Sequence, residues 1–147
     1  MGVFSEYAPA YWFAGLPVMP CKGKRPVIAG WQRLCDVMPT PEEQAAWIAQ
    51  YPDHNIGLPL GWASGMVAVD IDTDNPAEIV AIKATLPPSR YERIGRKGCA
   101  LFYQYNGEKN FSISGKVDFL SSGKQVILPP SIHPDTKQPY SWTGDAL

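Results

Sequence analysis

The chain has 147 residues, 45% of them hydrophobic, which is enough for one domain with a real core. Thirteen basic and fourteen acidic residues leave a formal net charge of −1, which excludes avid duplex binding through a globally basic surface and confines any basic patch to a local one. Three widely spaced cysteines (Cys21, Cys35, Cys99) and two histidines (His54, His133) form neither a disulfide framework nor a CxxC or His-rich zinc pattern. No apolar run approaches the roughly 20 residues of a membrane span, and no signal peptide or internal repeat is present. The composition reads as a soluble domain of a reducing cytoplasm.

Fifteen prolines and thirteen glycines predict short helices and many connections. The spacing of Tyr7, Tyr11, Trp12 and Ala14 predicts a helix over Ser5–Gly15, with Pro9 tolerated in its first turn and Gly15 as the stop. A short strand over Leu16–Cys21 enters the loop Lys22-Gly-Lys24-Arg25-Pro26, which either grips phosphate or is a solvated turn. Thr40-Pro-Glu-Glu43 has the form of a capping box with proline at the first helical position, opening a helix that runs to about Tyr51. Asn55–Gly61 predicts a short apolar strand.

Met66–Asp74 is the stretch with most chemistry in it. Its β-branched start predicts a strand, on which Val67, Val69 and Ile71 face one way and Ala68, Asp70 and Asp72 the other. Two carboxylates about 7 Å apart on one face repel unless a cation lies between them, and a divalent ion with oxygen ligands is the usual solution. The plain alternative is a strand running out into an acidic turn. Asn75-Pro76-Ala-Glu78 then repeats the capping grammar, so Asp74 and Asn75 are assigned to the N-terminus of a helix ended by Pro87-Pro88.

Arg90, Arg93, Arg96 and Lys97 form a basic run before the aromatic strand Cys99–Tyr105, and Asn106-Gly107 is a turn signal. Lys116–Leu120 alternates around the single carboxylate of Asp118, and Ser121–Lys124 leads as a hairpin turn into Gln125–Leu128. Helices early and hairpins late predict an α+β class.

Taken in order, these segments resemble the N-terminal domain of the bifunctional primase-polymerase family, in the archaeo-eukaryotic primase superfamily. The resemblance rests on Gly15-Leu-Pro-Val-Met-Pro20, Lys24-Arg25-Pro26 with Gly30-Trp31, Asn55-Ile-Gly57, Val-Ala-Val-Asp-Ile-Asp72, Val117-Asp118, and Pro129-Pro-Ser131 with His133 and Tyr140-Ser-Trp142. It implies an RRM-like catalytic core, a mixed, mostly antiparallel sheet flanked by short helices, spanning residues 1–147. Such proteins usually continue into a helical region and often a helicase domain, so the chain corresponds either to the N-terminal part of a longer replication protein or to a small stand-alone one. Asp70 and Asp72 match the family's first acidic motif and Asp118 its third. Together they imply a site for two Mg²⁺ or Mn²⁺ ions, one activating a primer hydroxyl and the other neutralising the triphosphate. Lys24, Arg96, Lys97, Ser131 and His133 are the implied phosphate and nucleotide contacts. The implied partners are nucleoside triphosphates, a single-stranded DNA template and a helicase. The implied setting is replication of a phage, plasmid or mobile element in the cytoplasm of a bacterial or phage-infected cell.

One departure stands out. The family's middle motif places a phosphate-contacting histidine after a Gly-rich turn, and here that position holds Ala100, or Cys99 by a one-residue shift. Either Arg96 or Lys97 takes over the contact, or catalysis is impaired. In the first case Ala100→His is expected to raise activity. In the second, the scaffold binds single-stranded nucleic acid, nucleotide or a protein partner, as a phage inhibitor would.

Overall fold

The computed structural model describes residues 2–147, and its elements follow the predicted order closely. Helix α1 (Val3–Phe13) leads to strands β1 (Met19–Lys22) and β2 (Arg25–Pro26), then a short 3-10 helix (Trp31–Cys35), helix α2 (Pro41–Gln50) and strand β3 (Asn55–Pro59). The acidic strand is β4 (Met66–Ile71), followed by helix α3 (Pro76–Ala84), β5 (Glu92–Ile94), β6 (Cys99–Gln104), β7 (Phe111–Ile113), β8 (Val117–Leu120), β9 (Gln125–Leu128) and β10 (Ser141–Trp142). The class is α+β, and every pairing between these strands is antiparallel. Among the described residues no helix is long and apolar enough to cross a membrane.

Local chemistry explains the helix starts. Thr40 Oγ1 accepts from Glu43 N at 3.2 Å while Glu43 Oε1 accepts from Thr40 N at 3.0 Å, so two otherwise orphaned donors are satisfied reciprocally. At α3 the cap is Asn75 alone, whose Oδ1 accepts from Ala77 N and Glu78 N; Asp74 makes no capping bond. Pro9 lies in the second turn of α1, further in than its spacing suggested, because the helix begins at Val3.

The strands form two sheets, one of four strands in the order β2-β1-β3-β9 and one of six in the order β10-β5-β6-β4-β8-β7. The larger core joins α1, α2 and the small sheet to one face of the large sheet through Ala68, Ala100 and Phe102. On the opposite face, Val69, Ile71, Cys99 and Leu101 are buried beneath Ile79, Ile82 and Leu86. The central strand β4 therefore has one face fully committed to packing. Its other face is apolar at Ala68 and opens at Asp70 into a cleft at the edge of the larger core.

Candidate active site

Strand register builds the site. Asp70 lies opposite Asp118 on β8 and, on its other side, opposite Ala100 on β6. Ser112 pairs with Asp118 from β7, and Arg93 of β5 pairs with Ala100. One row across the large sheet thus reads Ser112, Asp118, Asp70, Ala100, Arg93, with successive backbones spaced about 4.8 Å apart. Asp72 follows two residues after Asp70, its amide donating to Lys116 O at 2.7 Å and extending the pairing beyond the end of β4.

The three carboxylates act on one another. Burial is the main cause that raises the Asp70 pKa above the usual carboxylate value, and the charges of Asp72 and Asp118 push it further up. Arg93 and Lys24 oppose that rise. In the protein alone each carboxylate has its own side-chain partner. The guanidinium of Arg93 is 4.0 Å from Asp70, the ammonium of Lys97 is 3.6 Å from Asp72, and Ser112 Oγ donates to Asp118.

Opposite the carboxylates stands a cationic wall. Lys24, Arg93, Arg96, Lys97, His133 and Tyr140 line a cleft of about 300 Å³ together with Asp70 and Asp72. That lining holds four permanent cations against two carboxylates, so the wall favours an anion even before any metal arrives. Buried Asn55 holds the wall in place. Its Nδ2 donates to Gly23 O and Ile132 O, and its Oδ1 accepts from Ile132 N, tying the Lys24 loop to the His133 segment. Gln125 adds a bond from Nε2 to Lys24 O at 3.0 Å.

The lip carrying Arg96 and Lys97 is fixed by a glycine. Gly98 has a φ of +64°, and a Cβ there would lie 1.7 Å from Ile71 O, so only glycine lets the lip meet the end of the acidic strand. Arg96 reaches the other way and stands 3.7 Å from Asp135.

His133 is 3% exposed, with Nδ1 accepting from Asp135 N at 3.1 Å. Burial, and then the nearby Lys24 charge, hold its pKa below the usual histidine value. The ring is therefore neutral at neutral pH, with its proton on Nε2, the nitrogen free to donate.

The structure gathers Lys24, Asp70, Asp72, Arg96, Lys97 and His133 at one cleft, with Asp118 beside Asp70. Ser131 stands apart. It is fully buried, and its Oγ accepts from Ile56 N at 2.7 Å, so its visible work is to hold the turn after β9 against β3. Two site residues have no counterpart in the sequence reading as site residues. Arg93 stood there only as part of a basic run, yet its side chain is almost wholly buried beside Asp70, with its guanidinium carbon 4.8 Å from the Tyr140 ring centroid. Tyr140 packs under that guanidinium and shapes the floor of the cleft.

The donor set suits hard, oxygen-seeking ions: carboxylates only, with no thiolate among them. No three His, Cys, Asp or Glu side chains converge on a single point among the described residues. Asp70, Asp118 and Asp72 instead spread along one face, the arrangement expected where ions share their coordination between carboxylates and phosphates. The residues fit Mg²⁺ or Mn²⁺ on that basis.

Comparison with protein families gives a match over residues 8–146 to the family described as bifunctional DNA primase/polymerase, N-terminal. No match was found among curated proteins.

Proposed function

Since the chain belongs to the bifunctional DNA primase/polymerase N-terminal family, whose members act on nucleotides and DNA, we propose that its cleft performs nucleotidyl transfer, making or extending primers from nucleoside triphosphates on a single-stranded DNA template. The observation that carries this reading is the register of Asp70 against Asp118, with Asp72 on the same face and a cationic wall opposite. Asp70, Asp72 and Asp118 would hold two Mg²⁺ or Mn²⁺ ions. When bound, these supply charge neutralisation and an activated oxygen nucleophile.

The chain's own residues do the rest. Lys24, Arg96 and Lys97 attract the triphosphate into the cleft, and Lys97 is released to it once Asp72 has another partner. His133 donates from Nε2, uncharged, to a phosphate oxygen. The short β7–β8 hairpin keeps Asp118 opposite Asp70, so the two carboxylates that would hold the ions stay in fixed register. Ser131 contributes indirectly, by holding the segment that presents His133. The setting we propose is replication of a phage, plasmid or mobile element in the cytoplasm, beside a helicase; its support is the family likeness.

The test is primer synthesis and extension by the purified protein with Mn²⁺ or Mg²⁺. Asp70→Ala and Asp118→Ala should each abolish product, and product that survives both substitutions would remove these carboxylates from the reaction. A second reading is favoured by the apolar Ala100 at the middle of the row: a scaffold that binds nucleotide without transferring it. Nucleotide binding with no extension under any divalent ion selects it.

A further inference from the structure

The cleft contains one cation unlike the rest. Lys24, Arg96 and Lys97 sit on loops, and the last two are 60% and 43% exposed at the side chain; Arg93 is 13% exposed and comes from a strand. A guanidinium carries five N–H donors. In Arg93, Nη1 donates to Ile127 O at 2.8 Å, Nη2 makes a long 4.0 Å approach to Asp70, and buried Nε has no partner. Most of its donor capacity is unspent although it has lost most of its water, a costly condition that an anionic ligand relieves.

The route by which it arrives is also unusual. Arg93 and Asp70 are two strands apart, about 10 Å between backbones, with Ala100 between them. Only a side chain as small as alanine leaves the guanidinium a path over β6 toward the carboxylate. Tyr140 and Ile127 then fix its plane from below and behind. A second, 140 Å³ recess opens onto the same guanidinium and shares Lys24, Asp70 and Tyr140 with the main cleft.

We infer that Arg93, reaching over Ala100, is the principal phosphate-contacting residue of this cleft, with Arg96 and Lys97 in a supporting, screening role. This rests on the reading of the cleft as a nucleoside triphosphate site. The planar fork presents paired donors to a phosphate oxyanion, which the single ammonium of the more exposed Lys97 does not. It also explains how the row manages without an imidazole at Ala100: the permanent cation paired with it on the neighbouring strand takes the space that a larger residue would fill.

Calorimetric titration with inorganic tripolyphosphate in Mg²⁺ buffer tests the inference, using the full chain and its Arg93→Gln, Arg93→Lys, Arg96→Gln and Lys97→Gln variants. Arg93→Gln should weaken binding roughly 10- to 100-fold, the scale of a charge-assisted hydrogen bond, and Arg93→Lys should fall between it and the parent. Arg96→Gln and Lys97→Gln should each cost less than about 3-fold, as exposed, screened charges do. Should Arg93→Gln not fold, arginine-labelled NMR of the unaltered protein decides, with the Arg93 Nε–H signal assigned from its loss in Arg93→Lys. That signal must move on adding tripolyphosphate. Equal affinities across the Arg93 variants, or a motionless Arg93 signal while tripolyphosphate binds, overturns the inference and leaves the triphosphate site standing. Failure of the parent protein to bind either tripolyphosphate or a deoxynucleoside triphosphate overturns the triphosphate reading and this inference with it.

Discussion

The two faces of β4 obey different rules. On one face Val67, Val69 and Ile71 are packed almost without exposure, the last two beneath α3, as a strand in any core would be. On the opposite face of the same backbone, Asp70 is half buried among two other carboxylates and a desolvated arginine. Burial of charge at that second face works against folding, and nothing in the packing of the first face requires it. A strand that is ordinary on one side and costly on the other marks the side on which function lies.

Substitutions on the two faces should therefore separate. Asp118→Asn is expected to lower primer extension at least 100-fold while leaving the melting temperature level or raised, because it removes a like charge facing Asp70; a fall in melting temperature in step with activity would erase the contrast. Ile71→Ala should do the reverse. It empties a fully buried site and should cost about 2–5 kcal/mol in denaturant unfolding, while the folded fraction keeps its affinity for nucleotide.

Ala100→His probes the boundary between the faces. The sequence alone suggests that an imidazole there restores activity. In the structure Ala100 is fully buried and Arg93 crosses above it, so the imidazole competes for occupied space. We expect lower stability by about 1–3 kcal/mol and several-fold weaker triphosphate binding, read by thermal melts and calorimetry. Improved binding would mean that Arg93 yields its place freely.

The smallest effect is in pH dependence. A carboxyl whose folded pKa is raised binds its proton more readily in the folded state, so it contributes stability at low pH that is lost as pH rises through its folded pKa. Asp70→Asn should flatten that decline in a stability profile taken across the acidic range. Mn²⁺ affinity of the parent should fall on acidification at a higher pH than ordinary aspartates would give, since the ion needs the ionised form.

How much of this was legible depended on distance along the chain. Thr40 and Asn75 declare helix starts because a cap and its targets lie within three residues, and the sequence reading placed both helices. The alternation that put Asp70 and Asp72 on one face is equally local. Strands β5 and β7 carry no comparable signal: Glu92–Ile94 and Phe111–Ile113 are three residues each, and their pairing comes from the neighbours that receive them. Arg93 was hidden for that reason. Its importance depends on register with Ala100 and, one strand beyond, Asp70, and no spacing within Arg90–Lys97 encodes it. Ser131 shows the opposite case, a motif residue whose hydroxyl turns inward to a backbone amide of β3.

The pairing of each carboxylate with a side chain of its own has a consequence for the life of the protein in a cell. A zinc-finger-like domain waits for its metal before it can fold; here Arg93, Lys97 and Ser112 already occupy the acidic groups. On the proposed reading, folding should therefore not wait on a divalent ion: metal-stripped protein should keep the melting profile of a folded domain, and adding Mn²⁺ should restore primer extension without a refolding step.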